Sequence, residues 1–122
     1  MAFRFQSWQV YIDARTLKKE VNKILIAYPV EEKYLLVDQT RRAMLSVLLQ
    51  IAEGSERKTE KDKSVFINRS LTSLFEVVAC LDSAFDDGYI SQDQHIYFME
   101  KTENIGKQLR GLDKYITNHN KP

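Results

Sequence analysis

The sequence predicts an all-α protein, an antiparallel up-down-up-down four-helix bundle. Three observations predict it. Apolar residues recur every three or four positions over four long stretches, the spacing that returns side chains to one face of a helix. Only 4 Gly and 2 Pro punctuate the 122 residues, too few turn formers for a many-stranded sandwich or barrel. The breaks separate stretches of similar length by a few residues each, and short connections force neighbouring helices to run antiparallel.

The first helix, about residues 7–28, carries Val10, Ala14, Leu17, Val21, Ile24 and Tyr28 in a 4-3-4-3-4 spacing, one core-facing stripe. Pro29 ends it, because the ring lacks an amide donor and disfavours helical geometry at Tyr28. The second helix, about 34–53, has the seam Val37, Thr40, Met44, Val47 and Ile51, with Leu45, Leu48, Leu49 and Ala52 adding apolar surface beyond it. A helix in a small bundle buries roughly a 100° stripe, so this excess needs a second cover. Either another subunit supplies it, making Leu45, Leu48, Leu49 and Ala52 an oligomer interface, or this helix is the most central one of a tight monomer. Gly54 is expected to close the helix in the left-handed region.

Thr59 with Asp62 forms a weak capping box for the third helix, about 60–86, whose stripe is Ile67, Leu71, Leu74, Val78, Leu81 and Phe85. Asp87-Gly88 breaks it. Ser91 with Gln94 is a stronger capping box and opens the fourth helix, about 92–117, with the seam Phe98, Thr102, Ile105, Leu109, Leu112 and Ile116. The tail from Asn118 to Pro122 is expected to fray. The length fits one domain, spanning 1–122.

Apolar residues at 43% and charged residues at 29% match an ordinary globular core and exclude collagen-like, disordered and membrane-spanning classes. Residues 1–30 carry charges among their apolar positions, so neither a signal peptide nor a spanning helix is expected there. Cys80 stands alone, which excludes an intrachain disulfide and a cysteine zinc site and favours a reducing, cytoplasmic compartment.

A net charge of +1 hides strong segregation. Residues 41–69 hold seven basic against four acidic side chains, residues 70–100 hold six acidic and no basic ones, and residues 101–122 hold five basic against two acidic. Arg41, Arg42, Arg57, Lys58, Lys61, Lys63 and Arg69 are therefore the candidate phosphate contacts of a nucleic-acid-binding segment. The same segregation also suits head-to-tail contacts between copies, or an ordinary solvated surface. Glu53 is too far from Arg42 to pair within one helix, so Arg57 or Arg69 is its expected partner in a structural ion pair at the corner.

Catalytic and cofactor motifs do not emerge. The residues three before His95 and His119 are Gln92 and Ile116, so the Glu-x-x-His pattern of a di-metal bundle is missing, and both histidines read as ordinary solvent residues. There is no nucleophile elbow, phosphate loop or dinucleotide fingerprint. Cys80, set among Val77, Val78, Ala79 and Leu81, reads as an inert core thiol. Trp8, Tyr34, Tyr89, Tyr97 and Tyr115 could stack on bases, but their spacing equally suits pinning helices together. No enzyme, metal or cofactor is expected.

Pro29-x-x-Glu32-x-Tyr34-x-Leu36-x-x-Gln39-x-Arg41-Arg42-Ala43, Ser46-Val47, Ile51-Ala52-Glu53-Gly54 and Arg57-x-Thr59 together resemble the bundle proteins encoded in 23S rRNA intervening sequences of bacteria, the S23 proteins. Phe66-Ile67, Ser73-Leu74, Glu76, Leu81, Ala84 and Gly88-Tyr89-Ile90 extend the resemblance over roughly residues 8–92. Leu35, Leu48, Gln50, Glu56 and Thr72 depart from the family's usual Gly, Pro, Asn, Gly and Gly. The resemblance implies a cytoplasmic bundle that assembles into a ring, often a pentamer, with no defined biochemical activity. Similar bundles serve as the accessory variability determinant of diversity-generating retroelements, where a positively charged ring works with a reverse transcriptase and binds nucleic acid. By that analogy Arg41, Arg42, Arg57 and Arg69 become the leading phosphate contacts. The expectation is a non-enzymatic homo-oligomer that associates with RNA or DNA through its basic segment. The alternative is a protein-interaction adaptor with no nucleic-acid contact.

Overall fold

The computed structural model describes residues 2–119. Its helices are α1 (Gln9–Leu25), α2 (Leu36–Ser55), α3 (Glu60–Asp86) and α4 (Gln92–His119), with single 3₁₀ turns at Arg4–Ser7 and Val30–Glu32. Each helix packs on its sequence neighbours, α1 closes the square against α4, and the backbones of the diagonal pairs stay apart. That is the antiparallel up-down-up-down bundle the sequence predicts.

α1 buries Val10, Ala14, Leu17 and Val21 as its spacing requires, but its last buried position is Leu25, not Ile24. The helix stops three residues short of the expected end. Ala27 and Tyr28 donate their amides to Ile24 and Leu25, tight turn bonds that lead the chain into Pro29. The start is also displaced, because Arg4–Ser7 forms a separate 3₁₀ turn whose Phe5 ring meets Tyr11 edge-on at 4.9 Å.

α2 runs two residues beyond the expected stop, because Gly54 does not close it. Gly88 is the one glycine with a positive φ among the described residues, at 78°. Gly54 is helical and buried, and a Cβ there would stand 3.0 Å from the Cβ of Phe66 and 3.4 Å from Ile67. The glycine lets α2 and α3 approach closely. Ser70 donates to the carbonyl of Val47 and the hydroxyls of Ser46 and Ser73 meet, each at 2.8 Å, fixing the register of this antiparallel pair.

The remaining stop and start signals behave as written. Thr59 accepts from the amide of Asp62, and Ser91 and Gln94 cap each other reciprocally at 3.1 and 2.8 Å. At the end of α3, Gly88 donates to Phe85 and Tyr89 to Ala84, the paired bonds of a Schellman closure. α4 continues through Asn118 to His119, and residues 120–122 of the expected frayed tail lie outside the described residues. α3 holds an 18-residue window of mean hydropathy 1.3, long and apolar enough to cross a membrane by length and composition. Its Ile67, Leu74, Val77 and Leu81 are buried in the bundle core, which accounts for part of that composition, while Phe75 stays exposed.

Candidate functional site

At 100° per residue, positions 38, 42, 45, 49, 52 and 56 fall on one stripe. Leu45 is 44% and Leu49 50% exposed, Ala52 is half-buried, and Arg42 beside them pairs with Asp38 at 3.0 Å. Leu48, expected on the same interface, is 7% exposed and belongs to the core with Val47 and Ile51. The reason is rotational: it stands 100° from Leu49, on the inward side. Two of the four residues singled out for excess apolar surface thus form an exposed ridge, with Ala52 at its rim.

The seven basic residues do not gather in one place. Arg41 and Arg42 lie 16 and 15 residues before Arg57, so more than about 20 Å of chain along α2 separates the two groups. The first group instead sits level with α3's acidic half, where Gln39 donates to Glu76 at 3.3 Å. The second group occupies the corner between α2 and α3. There the Arg57 guanidinium lies 4.2 Å and that of Arg69 4.8 Å from the ring centre of Phe66. Lys58 and Lys61 are exposed, while Lys63 is half-buried and pairs with Glu60 at 3.2 Å.

Of the predicted ion pair, Glu53 and Arg57 do meet, at 3.7 Å, in an exposed contact worth at most about 1 kcal/mol. Arg69 does not join them. It lies on Phe66, three residues before it on the same helix face, where the ring attracts the guanidinium. Phe66 is the residue the sequence reading missed as an organiser of this corner. Its signal was the i,i+3 spacing to Arg69 combined with a position next to the helix turn that carries Arg57.

Ser64 donates to Asp113, which brings the last turns of α4 to the same end of the bundle. Arg110 there lies 5.8 Å from the ring centre of Phe75. At the other end, the second half of α3 runs beside the first half of α4, so the stretch 70–100 without Lys or Arg becomes one acidic region. His95 is built into it: Nε2 lies 2.8 Å from Asp82 Oδ1, and the ring stacks on Phe85 at 4.7 Å. It is a half-buried cross-helix link rather than the ordinary solvent residue expected. The side chain of His119 lies outside the described residues.

Cys80 is buried, and burial pushes its thiol above the ordinary range against a smaller opposing effect of the Thr40 hydroxyl, whose own proton goes to the Leu36 carbonyl. Tyr28 is buried with its hydroxyl unpartnered among the described residues, and burial, aided by Cys80, pushes its pKa to about 12. Tyr89 donates to Glu32 at 2.8 Å, and that bond pushes its phenol to about 12 as well. No group of three His, Cys, Asp or Glu side chains among the described residues is arranged to hold a metal. A polar cleft of about 260 Å³ lies between α1 and α4, lined by Asp13, Thr16, Glu20, Lys101 and Asn104. Gln108 donates to Asp13 at 2.8 Å and Tyr97 donates to Glu20, stitching the two helices together along it.

Fold and surface define a small all-α bundle with an exposed apolar ridge on α2 and a basic corner between α2 and α3. The chain belongs to the 23S rRNA-intervening sequence protein family, whose sequence model matches residues 6–111. A crystal structure of a protein of unknown function from the S23 ribosomal protein family of Bacteroides thetaiotaomicron is similar in fold. It has 19% sequence identity and a TM-score of 0.77, over 86% of this chain and 98% of that one. No curated protein matches the chain.

Proposed function

We propose that the chain is a non-enzymatic, homo-oligomeric bundle of the cytoplasm that associates with nucleic acid, RNA foremost, through the corner between α2 and α3. One observation carries this reading: Arg57 and Arg69 both lie against Phe66, beside the exposed Lys58 and Lys61. A guanidinium resting on a ring face keeps edge N–H groups available for phosphate oxygens and loses little further freedom on binding. The exposed Leu45 and Leu49 support self-association, and a ring of copies would repeat the corner and multiply a modest affinity. A reverse transcriptase acting on the same nucleic acid fits as a protein partner.

Charge reversal tests the reading. Lys58→Glu with Lys61→Glu is expected to abolish the low-salt shift of an RNA oligomer, whereas Arg41→Ala with Arg42→Ala, more than about 20 Å away along α2, weakens it less. The reverse order of effects would place the contact elsewhere. Several basic side chains already have acidic neighbours, as in Arg42–Asp38 and Lys63–Glu60, which favours the adaptor reading. Failure of the wild-type protein to bind RNA or DNA at low salt would leave that reading standing.

A further inference from the structure

Next to the basic corner the bundle end holds a recessed cavity of about 140 Å³. The 3₁₀ turn before α1 contributes Arg4, the start of α1 is preceded by Trp8, and α3 contributes Glu60 and Lys63. Ser55 from the end of α2 and Tyr115 from the last turns of α4 complete the polar and aromatic wall, over a floor that includes Ile67 and Leu112. Trp8 is half-buried and Tyr115 exposed. Aromatic surface, cationic donors and a carboxylate acceptor around one small recess match the two needs of an unstacked nucleobase, a π-face to lie on and hydrogen-bonding groups for its edge. The recess adjoins the turn that carries Arg57 and Lys58, since Ser55 and Glu60 on either side of that turn both line it.

We propose that this cavity takes one nucleobase of a single strand whose phosphates lie along the corner, with Trp8 as the stacking surface. The proposal rests on the nucleic-acid reading above and assigns that site a preference for single strands over duplex, because a paired base cannot enter the recess. Trp8 is the chain's one tryptophan, so the protein's tryptophan emission comes from this residue, which borders both the cavity and a shallower recess formed with Gln9, Val10 and Gln108.

The test titrates the full-length protein at low salt with a single-stranded oligouridylate and with an abasic oligomer of equal length and charge. The oligouridylate is expected to bind roughly five- to a hundredfold tighter and to quench Trp8, while the abasic strand binds through phosphates without quenching. Trp8→Leu, which keeps apolar packing, is expected to bring oligouridylate down to the abasic affinity and leave the abasic affinity unchanged. Equal binding of the two strands without quenching overturns the base pocket and leaves the phosphate contact intact. Tighter binding of oligouridylate with no quenching also overturns it, by placing the stacking elsewhere. If neither strand binds, the nucleic-acid reading itself falls. Should Trp8→Leu not fold, the wild-type comparison still decides.

Discussion

Replacing Leu45 and Leu49 by Ser removes the outer ridge of α2 without opening the core. In one subunit these side chains are 44% and 50% exposed, so about half of each remains to be covered. Full burial of a leucine is worth about 1.5–3 kcal/mol, and covering the exposed half gains about 1 kcal/mol. In a head-to-tail ring each contact uses the ridge of one copy, so its two leucines bring the gain to about 2 kcal/mol per contact, and its loss weakens each contact about thirtyfold. Sedimentation velocity at micromolar concentration reads the change directly as a shift from an oligomer to a 14.3 kDa species. Fold stability, followed by urea unfolding of the monomer, is expected to change by within about 0.5 kcal/mol, as for other surface positions. Leu48→Ser provides the contrast, since this core position carries a cost of about 2–5 kcal/mol. A wild-type protein that sediments only as the monomer, or a double variant that keeps the wild-type mass, would refute the ridge as an interface.

Three further changes probe the fold. Gly54→Ala is expected to destabilise by about 1 kcal/mol in urea unfolding, because overpacking against the Phe66 Cβ outweighs the helix propensity gained. Phe66→Ala does not relieve it, since the contacting Cβ remains, and full rescue by that variant would contradict the close-approach reading. Tyr28→Phe removes a buried, unpartnered hydroxyl and is expected to raise stability by about 1 kcal/mol at neutral pH, whereas a loss would reveal a partner. In the wild type, burial raises the Tyr28 pKa to about 12 by penalising the phenolate, so folding stability is unaffected by this group below the ordinary value of 10.0 and falls as pH climbs from there through about 12. Equilibrium unfolding across that range should show a shallower loss for Tyr28→Phe, with the Tyr89 contribution remaining. Ser91→Ala is expected to cost about 1 kcal/mol by removing the oxygen that accepts from Gln94, measured the same way.

Much of the fold was legible because helical spacing and capping chemistry are local. The stripes of α1 and α4, the Ser91–Gln94 box and the Gly88 closure all depend on residues within a few positions of one another. Gly54 misled for the complementary reason: a glycine near a helix end can serve a left-handed turn or a close approach, and only the position of Phe66 across the bundle separates the two. On α2, composition revealed an excess of apolar surface but did not assign Leu48 to the core, a matter of one 100° step. Charge counting also ran basic residues together in sequence that the antiparallel hairpin holds apart. The pairing of Arg57 and Arg69 on Phe66, and the meeting of Arg4, Trp8, Lys63 and Tyr115 around one recess, arise from long-range packing that no local pattern encodes.

The salt dependence of RNA binding measures the central claim most directly. Neutralising three or four phosphates of a single strand at the corner predicts a slope of about −2 to −3 in log affinity against log salt. Lys58→Ala with Lys61→Ala should make that slope shallower by about 1 or more. A wild-type affinity that does not fall with salt, or a slope the double variant leaves unchanged, would contradict phosphate recognition by this corner.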